Sequence, residues 1–175
     1  IWLTYPDTRY APVSAEVVGC PVRLAFDRSL STPASIHGES IHVLVLGGSL
    51  GARFLNDWVH DFSQQPHAFN FHLTLVTGRQ GWVAWQSDAS SVEPIDRVHG
   101  SFRLTVMPYC DDMASLASRA SMFIGRAGAS GLAEMSALGV PGILIPYPFA
   151  TDQHQDANAQ FFAHHGAALV LSHLG

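Results

Sequence analysis

From Ile41 onward, short continuous apolar runs alternate with stretches whose apolar positions recur every three or four residues. IHVLVLGG opens the series as an apolar run closed by glycines, the pattern of a strand covered on both faces. ARFLNDWVHDFSQQ follows, with Phe54, Leu55, Trp58, Val59 and Phe62 at helical spacing. FHLTLVTG reads as the next strand and QGWVAWQSD as a short helix with Trp82 and Trp85 on one face. FRLTVMPY is a strand, and DDMASLASRA a helix with Asp111 or Asp112 as its N-cap. SMFIG is a strand, and SGLAEMSALG a helix closed by Gly139 with Pro141 just beyond. GILIPYP is a strand, HQDANAQFFAHH a helix, and AALVLS the final strand.

Six strands alternating with helices predict an α/β fold, a doubly wound, Rossmann-like parallel sheet with helices on both faces. Right-handed crossovers place every strand-to-helix loop on one edge, where ligands of such sheets sit. Residues 1–40 lack a clear period. There IWLTYPDTRY reads as one strand and a turn, and PVRLAFDRSLSTPASIHGES as a Pro/Ser-rich linker.

Composition narrows the function classes. At 175 residues the chain holds one domain, or one domain plus part of another. Apolar residues make up 47% and charged residues 13%, enough for a substantial core. The formal net charge is -5 with no Lys/Arg cluster, so nucleic acid and anionic membrane surfaces are poor partners for this chain. The apolar runs are too short to cross a bilayer, and no secretory signal is expected. Cys20 and Cys110 stand apart, as reduced cytosolic thiols do. The histidines are scattered except for adjacent His164 and His165, which do not share a helix face, so no metal site is expected.

The loops on the predicted edge carry the chemistry. GGSLGAR, Gly47 to Arg53, joins the first strand to a helix, where glycines let backbone amides and the helix dipole approach an anion. Leu46 breaks the GxGxxG pattern of dinucleotide sites, and no Lys makes this a P-loop. A tight turn without a ligand accounts for it equally well. GRAGASGLAE forms a second such entrance, and two on one edge suit a polyanion such as a diphosphate. Glu134 is expected in the first turn of that helix, either compensating the macrodipole or accepting from a ribose diol. In PYPFATDQHQDAN, Asp152 suits an N-cap, while Gln153, His154, Gln155 and Asn158 offer polar groups and long amides suited to sugar hydroxyls. PYCDDM presents the backbone of Tyr109 and Cys110 before a capped helix. No nucleophile-base pair or close carboxylate pair stands out.

GGSLGA, DDM, RAGASGLAEMSALGVPGILIPYP and ATDQHQDANA, in this order and spacing, resemble the MurG glycosyltransferases. VVGCPVR resembles the family's interdomain segment, usually closer to TGNPVR, with Cys20 in place of Asn. The resemblance runs from about Trp2 to Leu171. It implies a GT-B architecture of two Rossmann-like domains. Residues 41–175 would be the carboxyl-side donor-binding domain, truncated at its end, and residues 1–40 a remnant of the amino-side domain and linker. The chain would thus be a fragment holding half of an active site. The donor is UDP-GlcNAc, and the acceptor, lipid I, is bound through the absent amino-side domain. No cofactor or metal is implied. The full-length protein would be cytoplasmic and peripheral at the inner membrane, with no membrane contact from this half.

Residue by residue, the resemblance puts Arg23, Gly48 and Ser49 at or near the donor diphosphate. It sets the Cys110 backbone at the uracil edge, with Tyr109 and Met113 beside it. Gly128, Ala129, Ser130, Gly131, Leu132 and Ala133 would line the diphosphate, and Glu134 would hold the ribose hydroxyls. Gln155 and His154 would contact GlcNAc. No catalytic residue is expected in this chain, because the base belongs to the absent domain. Alternatives are a related GT-B enzyme with a glycolipid acceptor, a stand-alone subunit docking a partner chain, and a non-enzymatic nucleotide-binding module.

Overall fold

The computed structural model describes residues 2–6, 8, 11–27, 41–47, 52–86, 93–150 and 154–172. Two short strands, β1 (Trp2–Leu3) and β2 (Glu16–Val17), pair in parallel as a small separate sheet. A single 3-10 turn follows at Leu24–Phe26. The main body then alternates β3 (Ile41–Leu46), α1 (Arg53–Ser63), β4 (Phe71–Val76), α2 (Arg79–Trp82), β5 (Ile95–His99), β6 (Phe102–Met107), α3 (Met113–Ser118), β7 (Met122–Gly125), α4 (Ala129–Leu138), β8 (Gly142–Leu144), α5 (His154–His164) and β9 (Ala168–Val170).

The main sheet runs β5-β6-β4-β3-β7-β8-β9. Its parallel strands therefore wind outward from β3 in one direction through β4 and β6, then from β7 in the other through β8 and β9. The reversal lies between β3 and β7, paired from Val43↔Met122 to Leu46↔Gly125. That is the switch point where loops on both sides diverge and leave a crevice.

The sheet has one strand more than the six expected. β5 pairs antiparallel with β6, from Ile95↔Val106 to His99↔Phe102. Gly100 makes the tight connection, with a left-handed φ of 61°. The strand is hard to read because it is an edge: Asp96, Val98 and His99 are exposed, and it lacks the continuous apolar run of its neighbours.

The two faces bury separate cores. Leu55, Val59, Trp82 and Trp85 from the α1–α2 side cover Val45, Leu73, Leu75, Leu104 and Val106. On the other face Leu116, Leu132, Met135, Leu138 and Ala159 from α3, α4 and α5 cover Leu44, Phe123 and Leu144. The alternation along β3 sends Leu44 one way and Val45 the other, as a doubly covered parallel strand requires. Gly139 ends α4 in the left-handed conformation, φ 71°, and Val140 N–H returns to the Met135 carbonyl. Asp112 caps α3, accepting from Ser115 N–H at 3.0 Å.

The segment expected as a plain linker contributes to this core. Phe26 is fully buried and belongs to the cluster formed by α3 and α4. Val22, Leu24 and Phe26 alternate with polar or small residues, a local signal too short to stand out within a Pro/Ser-rich stretch.

Toward the amino ends of the strands, away from the switch-point crevice, a polar ladder crosses the sheet. His42 and His72 stack with ring centroids 4.8 Å apart. His42 Nε2 lies 2.8 Å from Thr74 Oγ1, and His72 Nε2 lies 2.8 Å from Thr105 Oγ1. The Thr105 hydroxyl donates to Asp96, which also pairs with Arg103 at 3.2 Å. Burial, helped by the neighbouring His42 and Arg103, lowers the His72 pKa to about 4, and burial lowers that of His42 as well. Among the described residues no helix is long and apolar enough to cross a membrane.

Candidate functional site

The turn after β7 and the start of α4 form the centre of the site. Gly128 flanks the helix in an extended conformation, φ -73° and ψ 135°, and no side chain caps the helix end. The amides of the first turn, Ala129, Ser130 and Gly131, therefore point outward along the positive end of the dipole. A Cβ built on Gly128 or Gly131 meets nothing within 4 Å. Both glycines thus border open space beside those amides, and Ser130 and Gly131 are exposed. This is a surface shaped for close approach by an anion.

Close strand contact sets the position of this turn. A Cβ on Gly125, at the end of β7, would stand 2.9 Å from the Leu46 carbonyl oxygen at the end of β3. Glycine there lets β7 lie tightly against β3, so the strand ends from which both turns leave are neighbours. Of the first turn, Gly47 is described; Gly48 and Ser49 lie outside the described residues.

Two tethers hold the second turn, one to the segment after β8 and one to α5. Arg126 donates through Nη1 to the carbonyls of Ile145 and Pro146, both at 2.9 Å. Its guanidinium lies 5.4 Å from the Tyr147 ring centroid. Asn158 of α5 is buried and donates through Nδ2 to the Ala127 carbonyl at 2.9 Å. Its amide was open to a sugar role in the sequence; the structure turns it inward as a tie between α5 and the turn. Gln155 is half-buried, and its Oε1 accepts from Tyr147 N–H at 3.0 Å. Its side-chain carbonyl oxygen thereby braces the loop. His154 starts α5 and is exposed. The N-cap expectation for Asp152, and Gln153 beside it, fall outside the described residues.

Tyr109 is exposed where β6 leads to α3, whereas Cys110 and Met113 pack against the core beneath it. Burial pushes the Cys110 thiol above its ordinary value, so it stays neutral at pH 7. A contact through its backbone needs no charge on the side chain.

Glu134 is placed differently from expectation. α4 starts at Ala129, so Glu134 falls in the second turn, and no acidic residue occupies the first. Macrodipole compensation fades within the first turn and does not explain it. Leu132 is buried under the helix and Ala133 half-buried, so neither side chain faces the open space as Ser130 and Gly131 do. Four residues separate Ser130 and Glu134, placing both on one face.

Arg23 joins this face from the other end of the chain. Its Nε donates to Glu134 Oε1 at 2.9 Å, and Nη2 lies 2.9 Å from the same oxygen. Beside them an open hollow is lined by Val22, Arg23, Leu24, Phe26, Asp27 and Ala137. Sequence spacing gave no hint of this pair. Among the described residues no three of His, Cys, Asp and Glu gather as metal ligands do.

Comparison with known proteins matches residues 42–173 to the Glycosyltransferase family 28 C-terminal domain. Among curated relatives, the UDP-N-acetylglucosamine--N-acetylmuramyl-(pentapeptide) pyrophosphoryl-undecaprenol N-acetylglucosamine transferase of Sorangium cellulosum is 37% identical over 175 residues, covering 98% of this chain and 41% of the relative. The protein of the same name from Burkholderia vietnamiensis is 33% identical, covering 98% of this chain and 46% of its own. Among solved structures, Acinetobacter baumannii MurG superposes with a TM-score of 0.72 at 29% identity, over 98% of this chain and 46% of that one. The chain thus spans less than half the length of these relatives.

Proposed function

This chain belongs to the glycosyltransferase family 28 C-terminal domain family, and on that premise we propose that it is the donor-binding half of an inverting N-acetylglucosaminyltransferase. The donor is UDP-GlcNAc and the acceptor is lipid I, the substrates in the curated relatives' name being a GlcNAc nucleotide and an undecaprenyl-linked muramyl pentapeptide. The acceptor is held by an amino-side half, of which residues 1–40 are the last part. The complete enzyme works at the cytoplasmic face of the membrane that carries its lipid acceptor.

The observation that carries this reading is the uncapped start of α4 at the switch point, with open space over Gly128 and Gly131. In the proposed reaction an acceptor hydroxyl attacks the anomeric carbon of GlcNAc, and the bond to the diphosphate breaks as UDP leaves. Charge gathers on the departing diphosphate, and preorganised amides at Ala129, Ser130 and Gly131 stabilise it without reorganising. Glu134 accepts from the ribose hydroxyls one turn along, and Gln155 and His154 face the sugar. The base that takes the acceptor proton comes from the amino-side half. Ser49 and Gly48 join the diphosphate from the turn after β3.

Calorimetric titration of this chain with UDP, UDP-GlcNAc and ADP tests the reading. Weak binding of the two uridine ligands, little or none of ADP, and no sugar transfer are expected. Equal affinity for UDP and ADP would point instead to an unselective nucleotide module, and no heat at millimolar UDP would defeat the proposal.

A further inference from the structure

We propose that Arg126 is a positioning residue for sugar recognition: it orients the peptide between Pro146 and Tyr147, and that peptide holds the Gln155 side chain. The inference rests on the reading of Gln155 as a GlcNAc contact given above and concerns what aims that amide.

One peptide unit carries the connection. Its carbonyl, on Pro146, accepts from Arg126 Nη1 at 2.9 Å, and its N–H, on Tyr147, donates to Gln155 Oε1 at 3.0 Å. The unit is trans, so it is planar with carbonyl and N–H on opposite sides. Fixing the carbonyl therefore fixes the direction in which the N–H is offered. A glutamine alone at a helix start spreads over several rotamers, and a ligand must select one. The bond from Tyr147 restricts that choice beforehand. A charged donor on the carbonyl also polarises the peptide and strengthens the bond made by its N–H.

Arg126 is placed for this task. Nη1 also donates to the Ile145 carbonyl at 2.9 Å, so one nitrogen spans two successive carbonyls. The guanidinium lies 5.4 Å from the Tyr147 ring centroid, a third contact to the same short segment. The side chain is half-buried, and a guanidinium keeps its charge there at neutral pH.

Independent anchors separate this role from the diphosphate turn. The Ala127 carbonyl is held by Asn158, and Ile145 N–H donates to the Gly125 carbonyl at 2.9 Å. Neither bond involves the Arg126 side chain. Removing the guanidinium thus leaves the start of α4 and the residue after β8 tied, and frees the peptide that meets Gln155. The sugar side should lose more than the nucleotide side.

The test compares UDP with UDP-GlcNAc on this chain by calorimetry, since the two probes differ only in the sugar. Arg126→Met should leave UDP affinity within about twofold and weaken UDP-GlcNAc about fivefold relative to UDP, through lost preorganisation. In a Gln155→Ala background the same change should shift that ratio by less than about twofold, because coupled residues are not additive. Hydrogen exchange at Tyr147 N–H should also be faster in Arg126→Met. Thermal unfolding verifies that each variant is folded. Should Arg126→Met not fold, Tyr147→Leu removes only the ring against the guanidinium and should shift the ratio about twofold in the same direction. Equal losses for both probes make Arg126 a determinant of nucleotide binding and overturn the proposal. An unchanged ratio in the folded variant, or additive shifts in the double variant, overturn it as well. If Gln155→Ala alone leaves the ratio unchanged, the sugar-contact reading of Gln155 has failed and takes this proposal with it. If the unsubstituted chain binds neither probe, the donor-site reading itself has failed.

Discussion

Asn158 donates through Nδ2 to the Ala127 carbonyl across 2.9 Å, and this one bond joins α5 to the turn that opens α4. The two elements are thereby fixed relative to each other at the carboxyl edge of the sheet, with GlcNAc contacts proposed on one and diphosphate contacts on the other.

Replacing Asn158 with Leu leaves the Ala127 carbonyl without that donor in a buried place. The expected cost is about 2 kcal/mol, or about 4–8 °C in Tm for a chain of this size. UDP affinity should fall as well, because the turn at residues 126–128 loses its tether. Thermal unfolding together with UDP titration checks both, and a variant with unchanged Tm would show that the bond is not a structural tie.

Gly131→Ala separates stability from binding. Alanine is the better helix former, and its methyl group meets nothing within 4 Å in the free protein. Stability should therefore rise by up to about 1 kcal/mol. The same methyl occupies the space where the diphosphate is proposed to approach, so UDP affinity should drop by about tenfold, or ~1.4 kcal/mol. Unchanged affinity would place the nucleotide elsewhere.

Gly125→Ala should act in the opposite sense. Its Cβ would stand 2.9 Å from the Leu46 carbonyl oxygen, a backbone atom that cannot rotate away. Prying β7 from β3 is expected to cost about 1–3 kcal/mol, as overpacking does elsewhere. Chemical unfolding of the variant gives the number directly. A neutral result would mean that the two strands already have slack at the switch point.

Acid should weaken the fold through the sheet's histidine ladder. The folded protein holds His72 neutral down to about pH 4, whereas the ordinary histidine value is 6.5. The unfolded chain thus binds the extra proton first, so stability falls as pH drops from about 6.5 toward 4. His42 acts in the same direction, and Arg103 and Arg119 beside the pair add to it. Asp96 opposes the shift of His72, while its own lowered pKa matters only below its usual 3.8. After discounting for the water that screens a half-exposed ring, the His72 contribution is on the order of 1 kcal/mol, about 2–4 °C between pH 7 and pH 5. His72→Asn should flatten that slope. Tm measured across the range decides it, and a flat profile for the unsubstituted chain would remove the premise.

The parallel strands and helices of the main sheet were legible from the sequence because their signals are local. Leu44 and Val45 report burial on both sides within two residues, and Gly139 marks the end of α4 by its own backbone requirement. β5 was not legible, since an edge strand carrying Asp96 and Arg97 has no reason to be continuously apolar. Asn158 was visible as an amide near a helix start, but its direction depended on which loop packed beneath α5. Glu134 was legible as a residue of interest and misplaced by one turn, because the helix begins at Ala129 without a capping side chain to mark it.

By itself the chain's sequence determined the doubly wound sheet and the glycine-rich turns on its carboxyl edge, because spacing and backbone freedom are written within a few neighbouring residues. The tertiary structure alone decided that Arg23 meets Glu134, 111 positions away, and that Phe26 is the buried plug which carries it there. Pairing across that distance follows from how the crossovers and the 3-10 turn bring surfaces together, and no local period encodes it.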